Sequence, residues 1–364
     1  MLHADRLRAL ADLQGPDRAF LSAYLGDADE RSVLDNRVGE IQRLLAGQPD
    51  ELEQFERNWA RAQELLDEAA VPQDGGLAVF TCWATDLAHV EPVPVPVQTE
   101  LRVGAAPYVR PLYEVVDEHQ PYAVAVVDNS AARLFLVTPG DAELERRVSG
   151  GVKNRVKVGG WSQKRYARRR EGELADYANT VADALQTLAD EHAVDRLVLL
   201  GADEARQAVE AALPTGLADR LVGSEPVASD ATEGELLDAA AEVSAEGERQ
   251  EEQSLWEQIE EHSLGGGLAV LGPTPVLEAL TAARAEAVLL DREAEIPGTR
   301  CRACEHVMHG TPDTCQRCGA SDVFETELGE QLVELAVGTG ATVDFVDPFE
   351  ALGAQGGVAA LLRY

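Results

Sequence analysis

Basic side chains are scarce in this chain of 364 residues: 31 Lys and Arg stand against 65 Asp and Glu, a formal net charge of −34. So anionic a body is repelled by nucleic acid, and any polyphosphate partner must be met by a locally cationic patch. Aromatic residues make up only 5% and methionine occurs twice, which leaves the cores to Leu, Val and Ala. No apolar run approaches the roughly 18 residues of a membrane span, so no membrane partner is expected. Met1-Leu2-His3-Ala4-Asp5 does not resemble a secretory signal, and a cytoplasmic chain is expected. Cysteine occurs five times, four of them in two C-x-x-C pairs. That usage speaks against a disulfide scaffold and for a metal in a reducing compartment.

Against this background one segment stands out. From Arg146 to Arg170 there are ten basic side chains and no acidic one, which leaves 21 basic against 65 acidic residues elsewhere. Gly159-Gly160-Trp161-Ser162-Gln163 lies within it. A cationic loop on an anionic body can reach into nucleic acid while the body is held off. Lys153, Arg155, Lys157, Lys164, Arg165, Arg168 and Arg169 are the candidate phosphate contacts, and Trp161 can stack on a base. The plain alternative is a surface loop whose glycines are turns. On that reading part of the Arg168-Arg169-Arg170 run is a solvated helix face paired with Glu171 and Glu173.

Periodicity divides the chain into three expected domains. Residues 1–120 read as an N-terminal α/β domain, with strands at Ala19–Leu25 and Leu77–Cys82 and helices over Val33–Ala70, broken at Gly47-Gln48-Pro49-Asp50. Residues 121–228 form a middle domain. Its strands at Tyr122–Val127 and Arg133–Val137 are joined at Asp128-Asn129-Ser130, and a long helix from about Lys164 to His192 presents Leu174, Tyr177, Ala178, Val181, Leu185 and Leu188 on one face. Residues 229–364 form a third α/β domain that opens with an acidic helical segment, carries the cysteine insert at 300–319 and contains a helix over Glu325–Gly338. Strands alternating with helices give an α/β class, each domain a mixed or parallel sheet packed with helices.

Cys301-x2-Cys304-x10-Cys315-x2-Cys318 is the most specific local signal. Two C-x-x-C knuckles place four thiolates for a closed tetrahedral Zn²⁺, a structural site with no open position for chemistry. His306 and His309 are read as polar residues of the ribbon, and Cys82 as a core thiol.

The chain resembles the eukaryotic and archaeal class I peptide release factors and their relatives, Pelota and the quality-control peptidyl-tRNA hydrolases. Gly159-Gly160 followed by Arg165-Tyr166-Ala167-Arg168 is similar to the family pattern G-G-Q-S-A-L-R-F-A-R. Gly356-Gly357-Val358-Ala359-Ala360-Leu361-Leu362-Arg363-Tyr364 is similar to the ending G-G-I-x-A-I-L-R-Y, and the four-Cys ribbon resembles the mini-domain of the archaeal members. The resemblance implies a ribosomal A-site factor that contacts rRNA and P-site peptidyl-tRNA, with a translational GTPase docked on the third domain. The implied activity is hydrolysis of the peptidyl-tRNA ester, with Gly159, Gly160, Ser162 and Gln163 as the catalytic residues. Two departures qualify it. Trp161 stands where the family has its Gln, and Gln163 lies two places further on. The first domain has neither N-I-K-S nor Y-x-C-x-x-x-F, so stop codons are not expected to be read. A rescue or quality-control factor is one reading; a non-catalytic hibernation factor that occupies the A site of idle ribosomes is the other.

Overall fold

Phe20–Leu25 (β1) is buried at all six positions, which requires cover on both faces of its sheet. Side chains alternate along a strand, so Leu21, Ala23 and Leu25 enter one core and Tyr24 the opposite one. The structure is a computed structural model that describes residues 4–139, 141–149, 162–228, 230–265 and 267–364, with backbone alone at 4–5, 141, 162–167 and 264–265. It divides into two units, Met1–Glu118 with Glu252–Tyr364, and His119–Glu251.

In the first unit, α1 (Ala4–Ala11) precedes β1, and α2 (Arg31–Leu45) and α3 (Pro49–Glu68) follow it. The two helices form a hairpin that returns the chain to the end of the sheet it left. The next strand, β2 (Gly76–Cys82), therefore runs antiparallel to β1. β3 (Leu87–Val93) and β4 (Glu100–Gly104) complete the order β3-β2-β1-β4, and α4 (Arg110–Glu118) ends this part. All its pairings are antiparallel rather than mixed or parallel. α2 and α3 cover one face through Leu34, Val38, Phe55, Trp59 and Leu66, and α1 and α4 cover the other through Leu7, Leu10, Leu112 and Val115. Cys82 is a buried core thiol beside Ala19 and Phe20.

The second unit is a five-stranded sheet, β7-β6-β5-β8-β9. β5 (Tyr122–Val127), β6 (Ala131–Thr138) and β7 (Asp141–Ser149) are antiparallel neighbours. α5 (Ser162–His192) then brings the chain back to β8 (Arg196–Gly201), which is parallel to β5, and α6 (Asp203–Ala212) and α7 (Thr215–Ala218) lead to β9 (Leu221–Pro226). Leu174, Tyr177, Ala178, Val181, Leu185 and Leu188 of α5 all enter the core on one face of the sheet, as their three-and-four spacing requires. α8 (Glu233–Gly265) supplies Ala240 to the other face and, in the first unit, Ile259 to the C-terminal sheet.

That C-terminal sheet is mixed, in the order β10-β16-β11-β15. It contains β10 (Ala269–Leu271), β11 (Ala285–Asp291) after α9 (Pro273–Thr281), β15 (Thr342–Val346) and β16 (Val358–Leu362). The ribbon, β12 (Pro297–Cys301), β13 (Val307–His309) and β14 (Val323–Glu327), interrupts the passage from β11 to α10 (Leu328–Thr339). The helix expected over Glu325–Gly338 therefore starts later. Glu327 still pairs with Pro297, and its carboxylate accepts the N–H of Glu330, which makes it the N-cap of α10. After α11 (Glu350–Gly353), Gly356 and Gly357 turn at φ +83° and +78°, and a Cβ on Gly357 would lie 2.5 Å from the Ala294 Cβ. Arg363 donates to the carbonyls of Thr339 (3.2 Å) and Gly340 (2.7 Å) at the end of α10, where a cation also opposes the helix dipole. The terminal Gly-Gly…Arg pattern is thus explained by backbone geometry and helix capping.

Candidate functional site

The Sγ atoms of Cys301, Cys304, Cys315 and Cys318 all lie within 4.8 Å of one another, with Cys301–Cys318 and Cys304–Cys315 each at 3.6 Å. A tetrahedral ion with four thiolates at about 2.3 Å sets the sulfurs about 3.8 Å apart, so the cluster has the size to hold a metal. The two knuckles share one local design. Cys301 N–H donates to the His306 carbonyl and Cys315 N–H to that of Ala320. The Cys301 and Cys315 carbonyls accept from Glu305 and Gly319, both left-handed, at φ +58° and +75°. Burial disfavours the Cys315 thiolate, but N–H donors from Cys318 and Arg317 and the adjacent thiols outweigh it and lower its pKa to about 6. Cys304 accepts from His306, which lowers it, yet burial and the three neighbouring thiols raise it to about 12. Four thiols gathered this closely are a set that a cation would complete. His309 meets Thr274 at 3.1 Å, and neither it nor His306 belongs to the cluster among the described residues.

The basic segment begins on β7 and ends on α5. Lys153, Arg155, Lys157, Gly159, Gly160 and Trp161 lie outside the described residues; Ser162, Gln163, Lys164 and Arg165 are described by backbone only, in the first turn of α5. The helix thus starts two residues before Lys164, at Ser162, and takes in the whole Ser-Gln pair. Arg168 is exposed and has no carboxylate partner among the described residues. Arg169 pairs with Glu173 at 2.9 Å, one turn along the same helix, whereas Arg170 reaches Glu204 of α6 rather than Glu171. Such exposed pairs are worth about 0–1 kcal/mol, so an incoming phosphate can displace them at little cost.

Sequence reading missed a cleft of about 1020 Å³ in the first unit, lined by eight glutamates and three arginines that are far apart in the chain. Glu100, Glu114 and Glu118 come from β4 and α4, Glu325, Glu327 and Glu330 from β14 and α10, with Arg102, Arg110 and Arg292 between them. An opening of this charge repels nucleic acid. Burial, then the nearby Glu327, raises Glu330 to about 7; burial, then Glu330, raises Glu334 to about 7. A carboxyl whose folded pKa is raised favours the fold below its unfolded pKa and loses that contribution as pH rises through the folded one. The contribution of Glu330 and Glu334 to the first unit is therefore full below about pH 4.5 and lost as pH rises through about 7. Glu330→Gln should stabilise it at pH 8 by on the order of 1–2 kcal/mol and have no effect near pH 4.5, as read by denaturant titration at each pH.

Residues 107–245 match the model of bacterial archaeo-eukaryotic release factor family 10. Over 342 residues the chain is 23% identical to peptide chain release factor subunit 1 of Thermococcus onnurineus, covering 84% of this chain and 82% of the relative. It is 26% identical over 312 residues to the protein of that name from Methanocaldococcus jannaschii, covering 76% and 73%. Among solved structures, the archaeal translation termination factor aRF1 is 18% identical, with 100% and 99% of the two chains covered and a TM-score of 0.28. Saccharomyces cerevisiae Dom34, described as a translation termination-like factor interacting with Hbs1, is 11% identical, with 80% and 79% covered and a TM-score of 0.44. The chain is thus similar to archaeal peptide chain release factors over most of its length, and its residues 107–245 to bacterial archaeo-eukaryotic release factor family 10.

Proposed function

We propose that the chain is a ribosome-directed factor of the rescue or termination type, which enters the A site and presents residues 159–163 to the ester joining peptide to tRNA without reading a stop codon. The observation that carries this reading is the run of ten basic and no acidic residues at the head of α5, in a chain of net charge −34 and inside the region matched by the release-factor model. The division at residues 1–120, 121–228 and 229–364 then separates a body, a reaching module and a docking module for a translational GTPase. Four thiolates at tetrahedral spacing favour Zn²⁺, held by Cys301, Cys304, Cys315 and Cys318 as a structural ion.

Gly159 and Gly160 would let the backbone approach the ester closely. The first four N–H groups of an α-helix have no partner within it, so the start of α5 offers donors to a developing oxyanion. Ser162 and Gln163 would orient the attacking water. Neither is a base at neutral pH, so the proton must pass to the tRNA or the ribosome. Trp161 at the family's Gln position favours a second reading, a plug that occupies the A site of idle ribosomes without chemistry.

Peptide release from ribosomes stalled without a stop codon separates the two. If Gln163 positions water, Gln163→Ala should slow release by about 10²–10³ with binding intact, and Gly160→Ala should also slow it. If the segment only plugs the site, the unmodified protein will bind idle ribosomes without releasing peptide. Trp161→Ala will then weaken that binding and Gln163→Ala will change nothing.

A further inference from the structure

We infer that Arg133 and Arg147 clamp an RNA backbone phosphate on the face of the second unit's sheet that α5 does not cover. In the antiparallel pairing of β6 with β7 the two arginines are directly opposite each other, which brings their Cβ atoms to about 4.5–5.5 Å on one face. That face is fixed by their neighbours. Phe135 and Leu144 enter the core beside Ala240 of α8, whereas Ala132, Leu134 and Val148 turn to α5. Arg147 is exposed and Arg133 half-buried, its guanidinium 5.9 Å from the centre of the Phe135 ring.

Like charges directly opposite in a sheet destabilise it, and this chain has two acidic residues for every basic one with which to relieve the pair. Apart from Arg168 at the head of α5, it does so elsewhere. Arg146, Arg169, Arg170, Arg196, Arg206 and Arg220 of this unit all have a carboxylate within 4.0 Å. Arg146, one residue from Arg147 but on the opposite face, meets Glu191 of α5 at 2.8 Å. Among the described residues Arg133 and Arg147 have no such partner. Asp128 feels the charge of Arg133, but its Oδ1 is taken by the N–H groups of Ser130 and Ala131 and by the Ser130 hydroxyl. Residues 150–161 contain no acid that could serve.

Two unrelieved arginines at facing positions can bring both guanidinium groups to the oxygens of one phosphate. The adjacent ring of Phe135 is 1% exposed and cannot stack on a base, so the contact is to backbone and independent of sequence. It rests on the ribosome reading above and adds to it a second footprint, on the opposite sheet face from α5.

The test compares ribosome binding at several salt concentrations for the intact chain, Arg133→Gln with Arg147→Gln, and Arg133→Lys with Arg147→Lys. The Gln pair should bind about tenfold or more weakly and lower the log–log salt slope by about one, with a thermal midpoint unchanged or raised because the opposed charges are gone. The Lys pair should keep the slope, which charge alone sets. If the intact chain binds and the Gln pair keeps affinity and slope, the clamp is overturned while the ribosome reading stands. A Lys pair that loses as much slope as the Gln pair also overturns it. If the intact chain does not bind ribosomes, the ribosome reading fails and the clamp with it.

Discussion

Replacing Lys164, Arg165, Arg168 and Arg169 together with alanine is expected to weaken ribosome binding by roughly 10²-fold or more and to flatten its log–log salt slope by about three, at about 0.7 per phosphate lost. The size of the effect follows from the contrast in charge. Most of the body is repelled by RNA, so the few cations that meet it carry a large share of the attraction. The folded state should hardly notice. Arg168 is unpaired among the described residues, and Arg169 loses only a surface pair with Glu173 that is worth about 0–1 kcal/mol. The comparison is Arg37, Arg43, Arg57 and Arg61 on α2 and α3, all exposed and all in the first unit. Their replacement should change affinity far less. Equal loss from both sets would mean that binding is spread over the surface and that the segment before α5 has no special part in it.

The chain is expected to carry about one Zn²⁺, and Cys301→Ser with Cys304→Ser is expected to abolish its binding. Structural zinc of this kind contributes about 10–16 kcal/mol to its fold, more than the ribbon's own small cluster of Cys301, Met308 and Cys315 can replace. The damage should reach beyond the cysteines. β12 and β14 frame the ribbon, and Glu327 at the end of β14 both caps α10 and accepts the N–H of Ile296 at 2.9 Å. Loss of the ribbon should therefore loosen the start of α10 and leave the second unit folded. Elemental analysis of chelator-free protein, with amide exchange resolved by segment, reads both effects. Absence of zinc from the unmodified protein, or an α10 indifferent to the double substitution, would sink this account.

Periodicity made the interior of the fold legible. The face of α5 from Leu174 to Leu188, the buried strands β1, β2, β5, β8 and β11, and the break before Pro49 could all be placed from residue spacing, because each faces a core that tolerates only apolar side chains. What escaped lies in the ribbon, whose strands β12, β13 and β14 are short, and at the edges of the four-stranded antiparallel sheet and of the five-stranded sheet. β3, β4, β7 and β9 are all edge strands, paired on one side and partly open to solvent, so their sequences need not alternate cleanly. β3 even holds Pro92, which an edge allows and a central strand does not.

The sites divide in the same way. Cys301, Cys304, Cys315 and Cys318 announced by spacing alone a cluster that could hold a metal, since each C-x-x-C knuckle is built from its own few residues. The charge contrast of Arg146–Arg170 was equally a property of the sequence. The facing of Arg133 and Arg147 depends on the register of β6 against β7, and the acidic cleft gathers Glu100, Glu114 and Glu330 from distant segments. Local composition determined which chemistry this chain carries. Which charges become neighbours was decided only when long-range strand pairing brought them together, because pairing register and packing are set by cores that no short stretch contains.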